Sequence, residues 1–148
     1  AKQGNAAAQL RLGRLYEFGL GVAEDMAEAL TWYRSSAEQG FAEAQNRLGF
    51  MYELGRGVPE NYTEAVKWYR KAAEQSDEDA QYSLGEMYAK GEGVPQSNVA
   101  AYMWWSIAKA LGSDVSAKKL SDLKLNMSQS EISKAQILAA EWWESRDN

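Results

Sequence analysis

The sequence predicts an all-α chain built from tandem helix pairs, and three observations carry that prediction. The segment "GRGVPEN", Gly55 to Asn61, recurs as "GLGVAED" from Gly19 and "GEGVPQS" from Gly91, at a constant interval of 36 residues. Apolar residues between these copies fall at helical spacing. Each apolar run is bracketed by a helix-ending glycine and by an Asp, Asn or Ser suited to start the next helix.

The match extends well beyond the glycines. Ala8, Ala44 and Ala80 align, as do Gln9, Gln45 and Gln81, Leu12, Leu48 and Leu84, Gly13, Gly49 and Gly85, and Tyr16, Tyr52 and Tyr88. Later in each copy come Ala29, Ala65 and Ala101, then Trp32, Trp68 and Trp104. The repeats occupy approximately residues 5–40, 41–76 and 77–112 of a single domain spanning 1–148.

Repeat two shows the elements most clearly. "FAEAQNRLGFMYELG" places Ala44, Leu48, Met51 and Tyr52 on one apolar stripe. Ala44 and Gly49 are small enough to let a neighbouring helix approach. Gly55 ends this first helix, and Pro59 forbids its immediate continuation. The second helix opens at Asn61, three residues before Glu64, and turns Ala65, Trp68, Tyr69, Ala72 and Ala73 inward. Asp25 with Glu28 and then Ser97 supply the equivalent starts in the other repeats. Gly40 and Gly112 end the second helix, with Ser76 in their place in repeat two. The glycine loop is therefore read as a corner between helices. A phosphate-binding loop follows a strand and ends in G-K-[ST], and this one does neither.

Residues 113–148 depart from the period. Ala117, Leu120 and Leu123 begin a helix, and Ser128 to Glu131 is a capping box. Ile132, Ala135, Ile137, Leu138, Ala139 and Trp142 then give a last amphipathic helix, so this pair is expected to cap the stack. No comparable cap precedes repeat one, which leaves room for further repeats before residue 1 or for end-to-end self-association.

Composition narrows the chemistry. The chain has no cysteine and no histidine, which removes thiol and Ser-His-Asp catalysis and zinc sites with those ligands. A net charge of −5 argues against nucleic acid, and no apolar run is long enough to span a membrane. The acidic run at Ser76 to Ala80 lacks the alternating ligands of a calcium loop and reads as a complement to a helix dipole. Glu17 and Glu53 share a repeat position and Glu86 lies nearby, so the three read as a solvated acidic lining. No catalytic residue, cofactor or metal is expected. Trp32, Trp68 and Trp104 read as core. Trp105, Trp142 and Trp143 break the period, and one or two of them are expected to pack the tail against repeat three.

Leu48-Gly49-x-x-Tyr52 followed by Ala65-x-x-x-Tyr69 resembles the tetratricopeptide signature, whose period is about 34 residues. The longer pattern A-x-A-Q-x-x-L-G-x-M-Y-x-x-G-x-G-V-P, followed by A-x-x-W-Y-x-x-A-A-E-Q-G, resembles the Sel1-like repeat family. Ala23 in place of proline, Ser76 in place of glycine and the divergent "MWWSIAKALG" are the departures. The resemblance implies a right-handed α-solenoid of antiparallel helix pairs, working as a scaffold or adaptor in the manner of bacterial members. The compartment, periplasm and envelope or cytoplasm, stays open. The resemblance also implies a concave groove lined by the first helices. Their variable positions are Leu10, Arg14, Glu17 and Phe18, then Asn46, Phe50, Glu53 and Leu54, then Tyr82, Glu86 and Lys90. Arg14, Glu17, Asn46, Phe50, Glu53, Tyr82, Glu86 and Lys90 are the expected partner-binding residues. A protein or peptide ligand is the first reading, and a carbohydrate or cell-wall ligand in the same groove is the alternative.

Overall fold

The recurrent glycines sit where a helix stops. In the computed structural model, which describes residues 4–148, Gly19, Gly55 and Gly91 adopt φ of 61°, 63° and 72°. A residue with a Cβ pays roughly 1–2 kcal/mol for that left-handed conformation. The amides of Asp25, Asn61 and Ser97 then donate back to the carbonyls of Tyr16, Tyr52 and Tyr88, each at 2.9 Å. Each loop is thus tied to the helix it has left and aims the next helix back along it.

Eight helices result among the described residues, and there is no strand there: α1 (Ala6–Phe18), α2 (Met26–Glu38), α3 (Ala42–Leu54), α4 (Tyr62–Glu74), α5 (Glu78–Lys90), α6 (Asn98–Ala110), α7 (Asp114–Lys124) and α8 (Gln129–Glu144). The side chains that start α2, α4, α6 and α8 are the ones expected from the sequence. Asp25 accepts from the amides of Ala27 and Glu28, Asn61 from Glu64 and Ser97 from Ala100. Asp77, in the acidic run, caps α5 by accepting from Ala80 at 2.9 Å. Ser128 and Glu131 complete a reciprocal box at the start of α8. Each such cap is worth about 1 kcal/mol.

The helices fall into two compact units, Ala1–Gln75 and Ser76–Asn148. In the first, α1 packs on α2, α3 on α4, and α2 on α3. The α1–α2 pair is antiparallel: the Ser36 hydroxyl donates to the Ala6 carbonyl at 2.7 Å, while Tyr33 lies across Gly13. Between the two repeats, buried Gln45 donates from its Nε2 to the Ala37 carbonyl at 3.1 Å. This holds the start of α3 against the end of α2.

In the second unit α5 packs on α6, and α6 also carries α7 and α8. Ala101, Tyr102, Trp105, Leu120 and Ala135 form its buried cluster. Trp104 is buried and meets Trp142 edge-to-face, with ring centroids 6.1 Å apart. That contact is the expected packing of a tail tryptophan on repeat three. Two expectations need correcting. Trp105 does not break the period: it lies where Tyr33 and Tyr69 lie in the earlier repeats, over Gly85. Ile137 is 59% exposed, because the inward face of α8 is filled by Ala135 and Ala139. Of the repeat tryptophans, Trp68 and Trp104 are buried and Trp32 is half-buried.

Ser76 keeps the left-handed conformation of the glycines it replaces, with φ of 69°. Its hydroxyl accepts a solvent-exposed hydrogen bond from Arg146 at 3.0 Å, which compensates little for that strain. Ser76→Gly is therefore expected to raise stability by about 0.5–1 kcal/mol in urea unfolding, whereas glycine at most helical positions lowers it.

Candidate functional site

The first helices carry two sets of side chains, those consumed by packing and those left facing outward. The division is sharpest at the repeated glutamate. Glu17 is 3% exposed, accepts the Tyr33 hydroxyl at 2.5 Å and faces the Arg56 guanidinium at 3.5 Å. Glu53, one repeat on, accepts the Tyr69 hydroxyl at 2.5 Å and is half-buried. The expectation of a solvated acidic lining is corrected here. These carboxylates hold the phenols of their own repeat, because a buried tyrosine hydroxyl needs an acceptor. The Tyr33 hydroxyl is pushed well above the ordinary tyrosine range, first by burial and then by its hydrogen bond to Glu17. In repeat three both partners change together, to Ala89 and Trp105, and the Trp105 indole donates to the Tyr82 carbonyl at 3.1 Å.

Leu10, grouped with the variable positions, is also buried. The remaining side chains of the first unit form a stripe along α3. Glu43, Asn46 and Phe50 follow at helical spacing and are half-buried, and Leu54 at the end is 53% exposed. Arg14 of α1 pairs with Glu43 at the head of this stripe. Phe18, one turn beyond Arg14, is 52% exposed. This surface has an ion pair at one end, an amide and an aromatic ring in the middle, and two exposed apolar side chains at the other end. Glu43 was not anticipated from the sequence, although its partner Arg14 was.

In the second unit Tyr82, Glu86 and Lys90 lie one turn apart along α5. Glu86 is bound on both sides, by Lys90 at 3.3 Å and by Lys119 of α7 at 2.9 Å. The hydrogen bond that Lys119 donates to Glu86 is the main cause that raises the Lys119 ammonium above its ordinary value. Lys119 was also missed, because it lies outside the periodic part of the chain. Among the described residues no group of three or more carboxylates or other ligands is arranged to hold a metal ion. Glu17, Glu53 and Glu86 have different partners.

The sequence profile of the Sel1 repeat matches three consecutive segments, residues 6–41, 42–77 and 78–113. The chain belongs to the Sel1 repeat family. Among solved structures, it is 33% identical to a protective antigen present in uropathogenic Escherichia coli strains that displays an SLR fold. That match has a TM-score of 0.89 and covers 97% of this chain but only 31% of the antigen chain. A Sel1 repeat protein from Oxalobacter formigenes is 41% identical, with a TM-score of 0.75 over 80% of this chain and 89% of its own. Helicobacter pylori cysteine rich protein B shares the fold at 22% identity, with a TM-score of 0.66 over 77% and 90% of the two chains. No curated protein matches the sequence significantly. The all-α helical-repeat solenoid expected from the sequence is thus the fold of this Sel1 chain and its relatives.

Because the Tyr33 hydroxyl is raised in the folded state, it contributes stability that is fully present below about pH 10, the ordinary tyrosine value, and is lost as pH rises through the folded value. Urea-unfolding free energies measured at increasing alkaline pH are expected to fall more steeply for the wild type than for Tyr33→Phe. Parallel curves would show that Tyr33 ionises as an unperturbed tyrosine.

Proposed function

We propose that this Sel1 chain is a non-catalytic binding module that takes a segment of a protein partner on the outward side chains of its first helices. The observation that carries the reading is positional. In the same register of the repeat, position 14 is followed by Phe50 and Glu86, and position 10 by Asn46 and Tyr82, while flanking positions keep Gly and Gln throughout. Leu10 is buried, but Arg14, Asn46, Phe50, Tyr82 and Glu86 are half-buried at these varying positions, which makes them available to a ligand. Phe50 beside Asn46 and Leu54, with Arg14 and Glu43 at one end, has the mixture of aromatic anchor and charged rim found at interface hot spots. Tyr82 with Lys90 and Lys119 offers a more basic patch around Glu86. Sel1 repeats generally act as protein-interaction scaffolds, which supports the same reading.

Of the eight residues expected from the sequence, Arg14, Asn46, Phe50, Tyr82, Glu86 and Lys90 enter this proposal as contacts. Glu17 and Glu53 enter only as supports of Tyr33 and Tyr69. An extended peptide or an amphipathic helix suits such a surface, since either presents side chains along a line.

The test is affinity capture from lysate and envelope fractions of the source organism, comparing wild type with Phe50→Ala/Tyr82→Ala after circular dichroism has shown the variant folded. Partners held by wild type and lost from the variant, at a cost of about 2 kcal/mol or more in a purified binding assay, are the expected result. Partners held equally by both would place binding elsewhere. Glycans held by wild type and lost from the variant would point to a sugar ligand. Glu53→Gln/Glu86→Gln is expected to leave no chemical turnover to lose.

A further inference from the structure

Three arginines stand around the buried Glu17–Tyr33 pair of the first unit. Arg56, in the corner after α3, faces the Glu17 carboxylate at 3.5 Å. Burial and Glu17 push the Tyr33 hydroxyl up, while Arg47 of α3 and Arg14 of α1 act against them. Both guanidiniums therefore lie within electrostatic reach of the pair. Two of the three are already engaged, Arg56 by Glu17 and Arg14 by Glu43. Glu53 is turned away, accepting the Tyr69 hydroxyl.

Arg47 is left over. Among the described residues no ion pair or hydrogen bond holds its guanidinium. The local balance is three guanidiniums against the carboxylates of Glu17 and Glu43, with the Tyr33 hydroxyl neutral. One positive charge thus remains on this surface of a chain whose net charge is −5. Arg47 is also half-buried, so part of its hydration is lost before any ligand arrives. A carboxylate seated there meets a planar donor fork at a smaller desolvation cost than at an exposed arginine.

We propose that Arg47 seats an aspartate or glutamate side chain of the partner segment, while an apolar side chain of the same segment packs on Phe50 and Leu54. The inference rests on the protein-binding reading above and adds the chemistry of the partner. Phe50 and Leu54 follow Arg47 by three and seven residues on α3, and Leu54 is 53% exposed. Seven helical residues rise about 10 Å. An extended segment covers that distance in about three residues. The acidic and apolar side chains of the partner are therefore about three positions apart.

The experiment selects random dodecapeptides on the full chain. They are displayed on phage through their C-terminal end, which leaves no free terminal carboxylate. Enriched sequences are expected to carry Asp or Glu about three positions from Leu, Ile or Phe. One such peptide, amidated at its end, is titrated by fluorescence polarisation beside its Asn or Gln version. Arg47→Gln is expected to weaken the acidic peptide by about tenfold and to leave the amide version unchanged. Arg47→Lys keeps the charge without the fork, so it is expected to lose less. It carries the same comparison should circular dichroism show Arg47→Gln unfolded. The inference is overturned if enriched peptides lack an acidic residue. It is also overturned if Phe50→Ala abolishes binding while Arg47 shows no coupling to the acidic residue, and the binding reading then survives without it. If no peptide is enriched, the binding reading falls and this inference falls with it.

Discussion

Tyr33 and Tyr69 lie so close to Gly13 and Gly49 that a Cβ on either glycine would stand 2.6 or 2.8 Å from a ring carbon, and Trp105 lies against Gly85 in the same way. These contacts set how near the two helices of each pair approach. A glycine in mid-helix forfeits about 1 kcal/mol of helix propensity relative to alanine. Burial of an aromatic ring on the bare backbone offsets that, since a large side chain gains roughly 1.5–3 kcal/mol when removed from water. With the spacing set, the alanines of the second helices, Ala29, Ala65 and Ala101, are fully buried.

The same contacts decide which side chains of the first helices are left outward. A tyrosine pressed on glycine carries its hydroxyl into the interior, and Glu17 and Glu53 are recruited as acceptors. Tryptophan over Gly85 needs a carbonyl instead, and the glutamate position becomes Ala89. Acidic residues that resemble a ligand-facing row in the sequence are thus part of the packing. What remains outward is the stripe of α3 and the lysine-flanked Glu86 of α5, where nothing in the helix pair dictates the side chain.

Much of this fold is legible in the sequence because it is written several times. Recurrence separates residues required by geometry from those that are not, and the left-handed glycines, the caps and the aligned alanines all follow from it. Glu17 was misplaced because helical spacing alone does not show that a carboxylate points toward a phenol on the next helix. The paired change of Glu and Tyr to Ala89 and Trp105 carried that signal. Ile137 and Lys119 lie in the aperiodic tail, where there is no second copy to compare. There α8 turns small Ala135 and Ala139 inward and leaves the larger isoleucine outside.

The ring-on-glycine account is tested most directly by a double-mutant cycle between Gly49 and Tyr69, read as urea-unfolding free energies. With Tyr69 present, Gly49→Ala is expected to destabilise by about 1–3 kcal/mol through overpacking, despite the better helix propensity of alanine. In a Tyr69→Ala background the same substitution is expected to be neutral or stabilising, because the ring it strikes has gone. An equal cost in both backgrounds would contradict the account and assign the glycine to some other constraint.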